Sequence, residues 1–267
     1  ISATGTGKTY LSAFDVLKMQ PRRFLFVVHR EIIVKSARDS YVRIGINPAD
    51  TGLLTGHDKE LDKPYIFATI QTLSQDEILH TFAPDTFDYI VIDEVHHGGA
   101  ATYQKVIRYF QPKFLLGMTA TPERSDDFDI YALFHHHIAY EIRLHDALEE
   151  NMLVPFHYHG ISEITVNGKV LDDMSDFALL TCEERVKHIL YYADLYGSDA
   201  ERIKGLVFCR NVDEAQALAE TFRQHGKRAV ALTGASSERE RSEAIGHLEA
   251  KAAEDLQYLD YIFTCDI

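Results

Sequence analysis

Apolar residues gather along this chain in short unbroken runs: Phe24 to Val28, Tyr65 to Thr69, Tyr89 to Asp93 and Phe114 to Thr119. Such runs, rich in β-branched and aromatic residues and bounded by polar, helical or Gly/Pro-containing stretches, predict strands buried on both faces. Tyr10 to Lys18 predicts a helix preceding the first of them. Strands alternating with helices imply a parallel, doubly wound sheet with helices on its two faces. This pattern predicts one α/β domain over residues 1–142.

The pattern then changes. Leu144 to Met152 has the spacing of a short amphipathic helix, which Leu153-Val154-Pro155 would end. Phe156 to Val170 alternates and closes on Asn167-Gly168, a hairpin-turn signal. Asp172-Asp173-Met174-Ser175-Asp176 reads as a solvated loop. We take residues 143–182 as a linker with a β-hairpin-like insertion. From Glu183 a helix leads into a second set of strands, at Gly205 to Cys209, Arg228 to Leu232 and Tyr258 to Thr264. Between the first two, Asp213 to His225 carries Ala215, Leu218, Ala219 and Phe222 at helical spacing, a face for packing on the sheet. Residues 183–267 therefore predict a second, incomplete α/β domain.

Composition narrows the picture modestly. With 267 residues, 46% hydrophobic and 25% charged, the chain can build one large or two modest cores. No apolar stretch approaches the roughly 20 residues of a membrane span. Cys182, Cys209 and Cys265 lack the close spacing of a zinc site or a disulfide framework, which points to a reducing, cytoplasmic compartment. The net charge of −14 argues against a protein that holds nucleic acid by bulk phosphate neutralisation. A narrow basic track, with Arg30 on it, would still be compatible with an acidic surface.

Candidate chemistry lies at the amino end. Ser2-Ala3-Thr4-Gly5-Thr6-Gly7-Lys8-Thr9 has the form of a phosphate-binding loop, with Ser2 where Gly is usual. Backbone N–H groups would cradle phosphate, Lys8 would add charge and Thr9 a hydroxyl for magnesium. Tyr89-Ile90-Val91-Ile92-Asp93-Glu94 is an apolar run ending in two carboxylates. It reads as a buried strand delivering acids to the sheet edge where ligands of open α/β folds bind. There one acid can hold Mg²⁺ through water and the next can orient the attacking water.

Together these segments resemble a superfamily 2 helicase or translocase of the DEAD/DEAH-box type. Asp93-Glu94-Val95-His96 matches Asp-Glu-x-His, and Met118-Thr119-Ala120-Thr121-Pro122 matches the third signature. In family order come Val27-Val28-His29-Arg30-Glu31, Thr69-Ile70-Gln71-Thr72-Leu73, Leu206 to Asn211, Leu232-Thr233-Gly234 and Phe263 to Ile267. Glu94-Val95-His96-His97 followed by Gly98-Gly99 looks closest to the type III restriction-subunit-like branch. The resemblance implies tandem RecA-like domains, the second incomplete, binding ATP and Mg²⁺. Thr4, Gly5, Thr6, Gly7, Lys8 and Thr9 would hold nucleotide, with Thr9 and Asp93 as metal ligands. Catalysis would fall to Lys8, Asp93, Glu94 and His96, with His96 coupling the site to Thr119 and Thr121. Strand contacts would come from His29, Arg30, Thr69, Gln71, Arg210, Thr233 and Thr264.

DNA is the implied partner, with RNA as the alternative polymer. The first domain would lack its opening strand, and the arginine finger would lie beyond this chain. The chain is thus expected to be an inactive piece of a longer protein with additional domains. Two other readings stand beside the motor: an ATP-binding regulatory or scaffold module, and a different phosphate-loop phosphotransferase such as a kinase. A kinase would leave Thr119-Ala120-Thr121 and the second sheet unexplained. His135-His136-His137 reads as a polar loop or helix end, since adjacent residues point apart. His97 reads as a hydrogen-bonded surface residue, Arg124 as a surface ion-pair partner, and any of the Thr residues at strand ends as a helix cap.

Overall fold

Five parallel strands form the first sheet of the computed structural model, which describes residues 1–123, 128–162, 165–166, 169–170, 181–197, 202–251 and 257–265. They are β1 (Phe24–Val28), β2 (Thr51–Leu54), β3 (Tyr65–Thr69), β4 (Tyr89–Ile92) and β5 (Phe114–Gly117), in the order β2-β3-β1-β4-β5. β1 is central, and all five of its residues are fully buried because helices cover both faces. Phe24, Phe26 and Val28 face α1 (Lys8–Met19) and α2 (Glu31–Arg43), packing with Ala13, Val16, Val34, Ala37 and Tyr41. Leu25 and Val27 face the opposite layer, with Leu73 of α3 (Ile70–Leu73), Ile78 of α4 (Asp76–Leu79) and Val106 of α5 (Ala101–Tyr109). Each of these buried large apolar side chains contributes about 1.5–3 kcal/mol, so β1 anchors both layers of the domain.

Two sequence expectations need correction. β2 went unread because it spans only four residues, and Gly52 interrupts its pattern. β5 is shorter than the Phe114 to Thr119 run and is not buried. It is the last strand in the sheet's order, and Phe114 is 43% exposed.

The chain divides into a unit at Ile1–His157 and another at Tyr158–Ile267. Within the first, α6 (Leu144–Glu149) buries Ala147 against Ala3, Ile142 and Leu153. In the second, the described residues of the alternating stretch pair as β6 (Thr165–Val166) and antiparallel β7 (Lys169–Val170). Asn167-Gly168 and Asp172 to Asp176 lie outside the described residues. α7 (Glu183–Tyr196) precedes a parallel sheet of β8 (Gly205–Phe208), β9 (Ala229–Leu232) and β10 (Tyr261–Thr264), ordered β8-β10-β9. α8 (Val212–Gln224) buries Ala215, Leu218, Ala219 and Phe222 against Tyr261 and Phe263, the face that the helical spacing predicts. α9 (Glu238–Glu249) starts on a reciprocal Ser237–Glu240 capping box. Among the described residues, no helix is long and apolar enough to cross a membrane.

Candidate nucleotide-binding site

Residues 1–3 run extended between two neighbours: the Ser2 amide donates to the Thr119 carbonyl at 2.9 Å, and Ser2 bridges Ile142 in parallel. The chain then turns sharply. Gly5 (φ 87°) and Gly7 (φ 85°) take left-handed backbone that an L side chain rarely adopts. Gly7 is the N-cap of α1, so the first-turn amides of a twelve-residue helix face the hollow of the loop. That is a ready anion site. The Lys8 ammonium donates to the Ser2 carbonyl at 3.1 Å, and the Thr6 hydroxyl to the Ala3 carbonyl at 2.6 Å. Ser2, in the place of the usual Gly, is buried, with its hydroxyl hydrogen-bonded to that of Thr6.

From below, the loop is braced by residues that no local pattern marks. Leu153, just past α6, lies so close that a Cβ on Gly5 would come within 3.0 Å of its Cδ2. Gly5→Ala therefore meets both a left-handed φ, costing about 1–2 kcal/mol, and a neighbour. Gly7→Ala meets the φ alone, with nothing within 4 Å. Nucleotide affinity, measured by fluorescent-nucleotide titration, is expected to fall about tenfold or more for Gly5→Ala and less for Gly7→Ala.

β4 delivers the acids. Asp93 is 5% exposed, and its Oδ1 accepts the Glu94 amide at 2.9 Å. Burial, and then the charge of Glu94, push its carboxyl up to about 6. The Glu94 amide and the Lys8 ammonium pull the other way, which places loop and strand end in one electrostatic site. Glu94 sits at φ 51°, strained for a side-chain-bearing residue, and turns the chain into the 3₁₀ segment Val95–Gly99. Its Oε2 lies 3.1 Å from His96 Nδ1. The same nitrogen lies 3.2 Å from Thr119 Oγ1, which also accepts the Thr121 amide at 3.2 Å. Lys8, Asp93, Glu94, His96 and Thr119 thus meet at the carboxyl edge of one sheet, and Thr121 joins through its backbone.

The buried Asp93 carboxyl makes stability depend on pH. Its folded pKa, about 6, lies above the roughly 3.9 of an unfolded Asp. Between those values the native state binds the extra proton, so this group's contribution to stability falls as pH rises from about 4 to about 6. Asp93→Asn should therefore gain on the parent by up to about 3 kcal/mol across that window in urea unfolding without nucleotide. A difference independent of pH would contradict the assignment.

The proposed strand contacts divide by exposure. His29 is half-buried and Arg30 exposed at the end of β1, where Arg30 is the N-cap of α2. Gln71 is exposed on α3. Thr69 does not reach the surface: it is buried, and its hydroxyl donates to Thr72 Oγ1 at 2.9 Å. In the second unit Arg210 is exposed and Thr233 half-buried, but Thr264 is fully buried at the end of β10. Thr69 and Thr264 thus end their strands in buried positions, whereas the other proposed contacts reach the surface at least in part. The Arg210 turn is pinned by buried Glu214, whose Oε2 accepts the Arg210 amide at 2.8 Å and whose Oε1 pairs with Arg185 at 3.3 Å.

His97 packs within the site as well as meeting solvent. It is half-buried, with its ring 4.9 Å from that of His29 and 4.2 Å from that of His96. His135, His136 and His137 are exposed after a 3₁₀ turn, and no metal-ligating cluster of three His, Cys, Asp or Glu occurs among the described residues. Arg124 lies outside the described residues.

Residues 1–124 match the family model described as type III restriction enzyme, res subunit. The chain is 25% identical over 275 residues to the type I restriction enzyme EcoAI endonuclease subunit of Escherichia coli, covering 88% of this chain and 33% of that protein. It is 30% identical over 135 residues to a Halobacterium salinarum protein described as a DNA 3′–5′ helicase, Rad25, covering 50% of this chain and 22% of that one. The chain thus spans a third or less of either relative. The helicase domain of Hef from Pyrococcus furiosus shares the fold, with a TM-score of 0.59 at 13% identity over 99% of this chain and 81% of that one. The architecture is accordingly α/β with RecA-like domains, five parallel strands in the first sheet and three in the second among the described residues.

Proposed function

Because this chain belongs to the superfamily 2 helicases, in their restriction-subunit-like branch, we propose that it couples Mg-ATP hydrolysis to movement along a strand of DNA. The observation that carries this reading is the meeting of Lys8, Asp93, Glu94, His96 and Thr119 at one sheet edge, beneath a loop built for phosphate. Phosphoryl transfer asks mainly for positioning and charge neutralisation, and these side chains offer both.

In the proposed mechanism the loop amides and Lys8 hold the β- and γ-phosphates. The residues fit Mg²⁺: a hydroxyl on Thr9 and a buried carboxylate on Asp93 are oxygen donors, and Mg²⁺ keeps several waters rather than a full protein cage. The raised pKa of Asp93 marks a buried anion that a cation would stabilise. When bound, the metal would neutralise phosphate charge. Glu94 orients the attacking water and accepts its proton, and His96 holds the Glu94 carboxylate toward that task while touching Thr119. Thr119 also accepts the Ser2 amide through its carbonyl, so movement at the phosphate loop reaches the same residue from its other side.

What favours DNA over RNA is the restriction-type likeness of the family model and of the EcoAI subunit. A mimivirus relative described as an ATP-dependent RNA helicase also matches, 26% identical over 64% of this chain, and keeps RNA as the alternative track. Those relatives are longer, and further domains belong to the proposal. The test is ATP turnover of the full-length protein with single-stranded DNA, duplex DNA and RNA at equal nucleotide concentration. Stimulation by DNA above RNA is expected. Stronger stimulation by RNA would reassign the track. Turnover indifferent to every polymer would leave an ATP-gated scaffold.

A further inference from the structure

Four aromatic side chains form a cluster beside Glu94, and two of them, His97 and Tyr103, have no role in the site described above. The His29 ring meets the edge of His97 at 4.9 Å and 66°, and His97 lies 4.2 Å from His96 and 6.4 Å from Tyr103. The Tyr103 hydroxyl and His29 Nδ1 are both buried, with no hydrogen-bond partner among the described residues. The His29 ring is therefore held on that side by packing, and His97 is the ring against it. Its orientation depends on where His97 sits. His97 in turn abuts His96, whose Nδ1 reaches Glu94 at 3.1 Å.

Two different stretches of sequence meet here. His29 is the residue after β1 and stands directly before Arg30, at the segment proposed to touch a bound strand. His97 belongs to the 3₁₀ turn that follows Glu94. We propose that His29 and His97 are a positioning pair, through which a strand bound at the end of β1 sets the His96–Glu94 contact. Neither is a catalytic residue, since each acts through the next ring. The inference rests on the motor reading above and adds to it the physical path by which polymer occupancy alters turnover. A path of packed side chains needs measured coupling to be more than proximity.

The test is a double-mutant cycle in the full-length protein: His29→Ala, His97→Ala and the pair. It reads ATP turnover against DNA concentration, turnover without DNA, and the unfolding midpoint of each variant. Each single change is expected to lower the DNA-stimulated kcat about tenfold, with a smaller change in the DNA concentration for half-stimulation. The double variant should be no worse than the worse single one, the signature of residues acting through one another. His97→Phe, which keeps a packed ring, should recover most of the stimulated rate. Losses that multiply in the double variant would overturn the pair. So would a loss confined to half-stimulation, an equal loss with and without DNA, or a His97→Phe variant as impaired as His97→Ala. A parent protein stimulated by no polymer would remove the motor reading itself, a failure recognisable before any variant is made.

Discussion

Replacing Glu94 by Gln is expected to lower ATP turnover by about 10²–10⁴-fold, the usual worth of a positioned general base, while ATP still binds. Gln keeps the length of Glu and one acceptor oxygen, and it tolerates the left-handed backbone at φ 51° no worse. What it loses is the proton acceptor and the anion beside His96 Nδ1. A second consequence separates this explanation from simple damage. The Glu94 charge is, after burial, the largest force raising the Asp93 pKa. In Glu94→Gln that pKa should fall below about 6, so Mg-ATP binding should persist to lower pH than in the parent. Calorimetric titration of Mg-ATP between pH 5 and 7 reads both effects. Unchanged turnover, or lost binding, would remove Glu94 from the role.

Lys8→Ala is expected to fail at an earlier stage. The ammonium lies against its own loop, 3.1 Å from the Ser2 carbonyl, where it can reach a phosphate held by the first-turn amides of α1. Removing one preorganised charge aimed at developing phosphate negativity costs about 10²–10³-fold in rate, and here ground-state binding is lost as well. kcat/KM should fall more than kcat. Lys8→Arg should not rescue, because the planar guanidinium fork is larger and differently hydrated than a compact ammonium. A Lys8→Arg enzyme turning over like the parent would show that the loop needs only a positive charge.

Much of this site is legible in the sequence because its parts are local. A phosphate loop, an apolar strand ending in two acids, and the Thr119-Ala120-Thr121 turn each carry their pattern within a few residues. Strands at Phe24 to Val28 and Tyr65 to Thr69 announce themselves by continuous burial in the middle of a covered sheet. What stayed hidden depends on contacts between distant segments. The Leu153 contact with Gly5 crosses from the end of α6 to the loop. The His29–His97 contact joins the ends of neighbouring strands β1 and β4. The burial of Thr69 and Thr264 is equally unreadable from the sequence. Position at a strand's carboxyl end is readable, but whether the hydroxyl turns toward solvent or into the covered layer is decided by packing. β2 was lost because four residues with Gly52 among them give too little pattern against the surrounding loop.

The proposed motor couples nucleotide state to strand affinity, and thermodynamic linkage makes that coupling reciprocal. The most direct measurement is the affinity of the full-length Glu94→Gln protein for a fluorescent single strand, with ATP and then with ADP. A motor must hold its track differently in the two states, and a difference of about 5–150-fold is expected. Equal affinity in both would mean that ATP shifts nothing at the strand, and would contradict the account.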